Sequence, residues 1–229
     1  MKLRKPHVGD QPCYSRQQVE AILGKAEGQE RDIFTVLAFT GLRRGELQWL
    51  TWKDVDLDSD PGWIHVRAKD GWMPKSRKDR KLPIYPRVRE VLTRLSRKHR
   101  WVFTARPSSK YPKGGNQIHL DHLREKLLAI LSKLGIEHGG LHSFRRFFIS
   151  WCANRHVAPN LLMHWVGHAD LRMVVRYYSL QDEASREAMA ALIAEENGTR
   201  YRTKLGQKGV PESKPRPQHP AFTVVASAS

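Results

Sequence analysis

Apolar residues recur at helical spacing along most of the first 195 residues, and three glycines, Gly41, Gly135 and Gly167, stand where such stripes end. Glycine adopts the left-handed conformation that closes a helix at no steric cost, so the pattern predicts a series of short helices. Ser15, with Gln18 three residues on, reads as a capping box opening a helix through about Glu27, with Val19, Ile22 and Leu23 as its stripe. Further helices are expected over about 30–40, stopped by Gly41, and over about 43–50. Another starts at Pro86 and runs along Val88, Val91, Leu92 and Leu95, and five more are expected over about 119–134, 142–154, 159–166, 171–177 and 182–195. Two β-like runs, 63–66 and 81–85, flank an Asp70-Gly71 turn and a basic loop. The expected class is mainly α with a small antiparallel sheet (α+β).

Charge narrows the partners. The 229 residues carry 40 Lys and Arg against 23 Asp and Glu, a formal +17. Such an excess points to a polyanion, and nucleic acid is the commonest one for a soluble chain. Between 69 and 100 stand twelve basic residues against three acidic ones, and after 197 six against one. A solvated face is the alternative reading of any such run, and concentration in one folded segment weighs against it. The longest apolar stretch, 188–194, has seven residues, far short of the ~18–20 that a membrane-spanning helix needs. Cys13 and Cys152 are too few for a disulfide framework, so a reducing, cytoplasmic setting is expected. No P-loop, dinucleotide fingerprint or His-Glu-x-x-His pattern occurs, and no cofactor is expected. Residues 1–14 read as a linker arm, 15–196 as one domain, and 197–229 as a basic tail whose Pro, Lys, Gly and Ser content predicts disorder.

Several residues could carry chemistry. Arg43 and Arg44 follow Gly41 at a helix N-terminus, where unpaired N–H groups favour anions, and Glu46 lies one turn on; the same stretch also reads as a helix cap with a surface ion pair. His142 and Arg145 are three apart on one helix and can face one phosphate together, with Arg146 a competitor for the same role. Phe144, Phe147, Phe148 and Trp151 bury the other side of that helix. His164 and His168 are four apart, but Gly167 ends the helix between them and no carboxylate or cysteine completes a set, so no metal is expected. Tyr177 and Tyr178 carry phenols of pKa ~10, poor nucleophiles unless cations and bases surround them.

In order and spacing these pieces resemble the catalytic domain of the tyrosine recombinase (phage integrase) family, over about residues 15–195. Thr40-Gly41-Leu42-Arg43-x-x-Glu46-Leu47, then Leu50-x-Trp52-x-Asp54-Val55-Asp56, resembles its first arginine box. Lys75 to Pro83 resembles its hairpin lysine box, with Lys75 eight residues before the proline; Lys69 is the other lysine available. Leu141-His142-Ser143-Phe144-Arg145 resembles its His-x-x-Arg box. Val166-Gly167-His168, with Tyr177 nine residues after His168, resembles its terminal box. Arg146 stands where a histidine is common, and Tyr178 abuts the tyrosine that register favours.

The resemblance implies a site-specific recombinase acting on double-stranded DNA as a homotetramer, cytoplasmic and nucleoid-associated. It implies that Tyr177 forms a 3′-phosphotyrosyl link, that Arg43, Arg145 and His168 hold the phosphate, and that His142 accepts the tyrosine proton or holds the phosphate. Lys75, on a mobile hairpin, protonates the leaving 5′-oxygen, and Glu46 braces an arginine. Arg44, Lys69, Arg77, Lys78, Arg80 and Arg146 are implied as DNA contacts. Members of the family also carry a helical core-binding domain, and only 14 residues precede the boxes here. The rivals are a type IB topoisomerase, disfavoured by the Gly-His…Tyr spacing and the short chain, and an inactive DNA-binding remnant, disfavoured by the full set of catalytic residue types.

Overall fold

The computed structural model describes residues 13–167, apart from 108, 110, 111 and 138, together with Val174. The expected helix over 171–177 apart from Val174, that over 182–195, the tail, His168, Tyr177 and Tyr178 lie outside the described residues. Among the described residues, no helix is long and apolar enough to cross a membrane.

Among the described residues, seven α-helices and a three-stranded sheet follow in the order α1 (Arg16–Lys25), α2 (Gly28–Thr40), α3 (Arg44–Gln48), β1 (Val55–Asp56), β2 (Trp63–Val66), β3 (Arg80–Pro83), α4 (Pro86–Arg94), α5 (Asp121–Lys133), α6 (Leu141–Ala153) and α7 (Pro159–Val166), with a 3-10 turn at Trp52–Asp54 before β1. Local signals set the ends. Ser15 and Gln18 form the capping box of α1: the Gln18 N–H donates to Ser15 Oγ (3.1 Å), and the Ser15 N–H donates to Gln18 Oε1 (2.9 Å). Prolines occupy the first turns of α4 and α7. Gly41 closes α2 in the left-handed conformation (φ 63°) and Gly167 closes α7 likewise (φ 64°). Gly41 is required twice over, because a Cβ there would sit 2.6 Å from Phe148 Cδ1.

Helix α2 is the centre of the core. Nine of its residues are buried, and it packs against both α6 and α4. Phe34 stacks on Phe144 of α6 (ring centroids 5.5 Å apart), and Phe39 meets Tyr85, Phe147 and Trp151. These aromatic contacts contribute beyond their burial, by about 0.5–1.5 kcal/mol per pair. The sheet is antiparallel in the order β1-β2-β3, with Val55 opposite Ile64 and Val66 opposite Arg80. Strand β1 has no counterpart in the sequence reading, because two residues are too few for a period-2 pattern to register. Strand β3 begins one residue earlier than the sequence pattern predicts, at Arg80, and packs against α7. That contact brings the sheet to the ends of α3, α6 and α7.

Candidate active site

Three arginines from three elements converge on the C-terminus of α7. Arg80 Nε donates to the Trp165 carbonyl (2.9 Å), Arg145 Nη2 to the Val166 carbonyl, and Arg43 Nη2 to the Gly167 carbonyl (2.8 Å). The last carbonyls of a helix lack partners within it and carry its partial negative charge, so guanidinium groups both satisfy and neutralise them. The other Arg145 nitrogen, Nη1, donates to the Gly41 carbonyl, which ties the end of α2 to the same point. Arg145 is only 2% exposed, whereas the Arg43 side chain keeps 22% of its surface open.

Glu46, buried in the first turn of α3, joins two of the three. Its Oε1 accepts from Arg43 Nη1 (2.8 Å) and Arg80 Nη1 (3.0 Å), and its Oε2 accepts from the Arg43 backbone N–H (2.8 Å) and Arg80 Nη2 (2.7 Å). Burial pushes the Glu46 carboxyl up, but the hydrogen bond and charge of Arg80, with those of Arg43, outweigh it and hold the group below the usual carboxylate range. The centre therefore has a fixed anion clasping two cations, and a third cation on the same helix end.

His142 lies one turn before Arg145 on α6. Partial burial, then the charges of Arg146, Arg145, Arg43 and Lys75, push its pKa down to about 4. The imidazole is thus neutral at pH 7, with one ring nitrogen free to accept a hydrogen bond, and the same cations make it a weak base. A histidine whose pKa falls on folding binds a proton more readily when unfolded, so stability is lost as pH drops below 6.5 toward 4. Titration of the imidazole by NMR is expected to show no inflection between pH 5.5 and 8; a midpoint near 6.5 would contradict the cationic setting.

Arg43, Glu46, His142 and Arg145 are brought together, with Lys75 and Arg146 within electrostatic reach of His142. Lys75, Arg77 and Lys78 stand exposed on the loop between β2 and β3. Arg44 pairs with Asp121 on the surface (2.8 Å). Two expected DNA contacts are corrected. The Arg80 side chain is 3% exposed and clasped by Glu46, so it braces the site from within. Lys69 Nζ is held 3.0 Å from Asp54 Oδ2 with its side chain 10% exposed, and so is turned away from solvent.

The signal for Arg80 was present in the sequence. Arg80, Leu82 and Ile84 alternate with Lys81, Pro83 and Tyr85, and the first three are buried. The sequence reading missed a core-facing position in a run that looked uniformly basic. Much of the rest of that run is also committed internally: Arg87 pairs with Glu20 (2.7 Å), Arg94 with Asp32, and Arg89 donates to the carbonyls of Leu57 and Ser59. The exposed basic residues of 69–100 outside these pairs are thus those of the loop around Lys75, with Lys81, Arg97, Lys98 and Arg100. Among the described residues, no cluster of His, Cys, Asp and Glu could hold a metal ion.

The phage integrase family model matches residues 14–184. The defective protein IntQ of Escherichia coli (strain K12) is 25% identical over 209 residues, covering 78% of this chain and 52% of its own length. The integrase of Salmonella phage P22 is 28% identical over 146 residues, covering 62% of this chain and 36% of its own. The chain thus spans about half or less of the length of these two relatives. Among solved structures, the Tn1549 transposon integrase in complex with transposon right end DNA matches with a TM-score of 0.63 at 21% identity, over 81% of this chain and 67% of that one. XerA recombinase matches with a TM-score of 0.59 at 23% identity, over 83% and 66%. Both likenesses bear on the fold, and they bear out the expectation of a mainly helical domain with a small antiparallel sheet.

Proposed function

The chain belongs to the phage integrase family and has the fold of a tyrosine recombinase catalytic domain, and from that premise we propose that it cuts and rejoins double-stranded DNA site-specifically, in integration or recombination, through a phosphotyrosyl intermediate. One observation carries the reading: two guanidiniums, Arg43 and Arg145, converge on the end of α7, with His142 one turn from Arg145 and Lys75 within electrostatic reach of that histidine. In-line attack on a phosphodiester spreads negative charge over the non-bridging oxygens. Fixed, permanently charged forks aimed at one point suit that charge, and preorganised donors of this kind lower barriers most.

In this reading the Tyr177 oxygen bonds to the scissile phosphorus as the bond to the 5′-oxygen breaks. His142 takes the tyrosine proton, or holds the phosphate while solvent takes that proton, and Lys75 gives a proton to the leaving 5′-oxygen. His168 adds a hydrogen bond to the phosphate. The phosphodiester energy is stored in the new link, so rejoining is the same step reversed with a new 5′-hydroxyl. Arg77, Lys78 and Arg146 hold the flanking phosphates, which give affinity without sequence information. Four protomers on two duplexes, working in the cytoplasm on nucleoid DNA, complete the assembly.

The test is capture of the covalent species. Incubated with a pool of nicked suicide duplexes of randomised sequence, the chain is expected to form a denaturant-resistant adduct. Peptide mapping is expected to find the nucleotide on Tyr177. No adduct, or a nucleotide mapped to Tyr178 instead, would overturn the reading or the nucleophile respectively.

A further inference from the structure

The loop that carries Lys75 is fastened to the arginine box at its near end. Lys69 and Trp72 exchange backbone hydrogen bonds of 2.9 Å in each direction around the Asp70-Gly71 turn. The Trp72 indole stacks on Trp49, the residue that caps α3 (centroids 5.9 Å apart, planes 12° from parallel). Trp49 is itself buttressed edge-on by Trp101. Lys69 lies over the other ring of this assembly, 5.3 Å from the Trp72 centroid, while its ammonium is tied to Asp54. Asp54 and Thr51 lie on the segment that continues from α3, and Asp54 also accepts from Thr51 Oγ1 (2.6 Å) and from Nε of Arg67, just after β2 (2.9 Å).

Two residues beyond Trp72, the buried Pro74 opens a turn in which the Arg77 N–H donates to its carbonyl (2.8 Å), and Lys75 is the first residue inside that turn. The main chain of the Lys75 turn is therefore tethered through Trp72 to Trp49, which ends the short helix that Arg43 caps and Glu46 sits on. A stretch expected to be a mobile hairpin has a stacked indole pair at its root.

We propose that Trp72 is a positioning residue for strand cleavage, acting through its stack on Trp49 to hold the Lys75 turn over the leaving 5′-oxygen. The proposal rests on the reading of Lys75 as the proton donor, and the test separates the two. With the full chain and the same pool of nicked duplexes, Lys75→Ala and Trp72→Ala are each expected to slow adduct formation by about 10²-fold, in the range of a lost general acid. The double variant is expected to be no slower than Lys75→Ala alone, since Trp72 acts only through Lys75. A 5′-bridging sulfur leaves without a proton, so duplexes carrying it are expected to restore both single variants to within a few fold of wild type. Trp72→Phe, which keeps a stacking ring, is expected to retain most activity on ordinary duplexes.

If sulfur rescues Lys75→Ala but not Trp72→Ala, or if the double variant loses the product of the two single effects, Trp72 is merely structural and the proposal fails while the reading of Lys75 stands. An unimpaired Trp72→Ala overturns it equally. If sulfur fails to rescue Lys75→Ala, the acid role of Lys75 falls and takes the proposal with it. A wild-type chain that forms no adduct overturns the proposed function and this proposal together.

Discussion

Glu46→Ala is expected to lower the unfolding free energy by about 3–5 kcal/mol, a large share of what a domain of this size holds. The carboxylate is 2% exposed and the Arg80 guanidinium facing it 3%. Removing the anion leaves Arg80 buried with the Trp165 carbonyl as its one remaining acceptor among those described above, and water cannot reach it to compensate. The cost is that of a stranded charge, and so it should vanish when the charge is also removed. Glu46→Leu combined with Arg80→Met is expected to recover most of the lost stability, because a packed apolar pair costs about as little as an ion pair at such a site. Urea unfolding followed by circular dichroism measures both. A double variant as unstable as Glu46→Ala would show that the loss comes from packing. Since folding holds the Glu46 pKa below 4.5, its contribution is present above that pH and fades as the pH falls through the folded value, so wild type and variant should converge in acid.

Arg145→Lys is expected to slow adduct formation by about 10²–10³-fold, the loss typical of one preorganised donor to a developing oxyanion. Lysine keeps the charge but offers one point where guanidinium offers a fork, and this fork already spans the carbonyls of Gly41 and Val166. An ammonium can serve one of those carbonyls or a phosphate oxygen, but not both with the same geometry. Arg106→Lys, at a surface pair with Glu30, is the control and should stay within about threefold, because exposed ion pairs contribute about 0–1 kcal/mol. Single-turnover trapping gives the rates. Arg145→Lys within tenfold of wild type would remove the phosphate role from Arg145.

What could be read from the sequence follows how local each cause is. Stripes such as Val19, Ile22 and Leu23, caps such as Ser15 and the stops at Gly41 and Gly167 are decided within a few residues, and those helices stand where the pattern puts them. The meeting of Arg43, His142 and Arg145 came from the order of the boxes, since no local pattern brings together residues about a hundred positions apart. Ion pairing was the part that stayed hidden. Whether Arg87 or Arg94 faces a phosphate or a carboxylate depends on Glu20 and Asp32, far back in the chain on other helices. Counting charge along the sequence cannot separate the two. Arg80 was legible through its place in the alternation with Leu82 and Ile84, but the basic neighbourhood masked it.

At the end of α7 the arginines take hold of main-chain oxygens and ignore side-chain identity. The bonds to residues 165 and 166 persist whatever those positions carry, provided the apolar packing around them is kept. Gly167 alone is constrained, by its φ of 64° and by the 3.0 Å that would separate a Cβ from the Arg80 guanidinium. Coupled drift, the trace that paired side chains leave as sequences diverge, has nothing to act on along this joint: one partner is free to wander while the other is pinned.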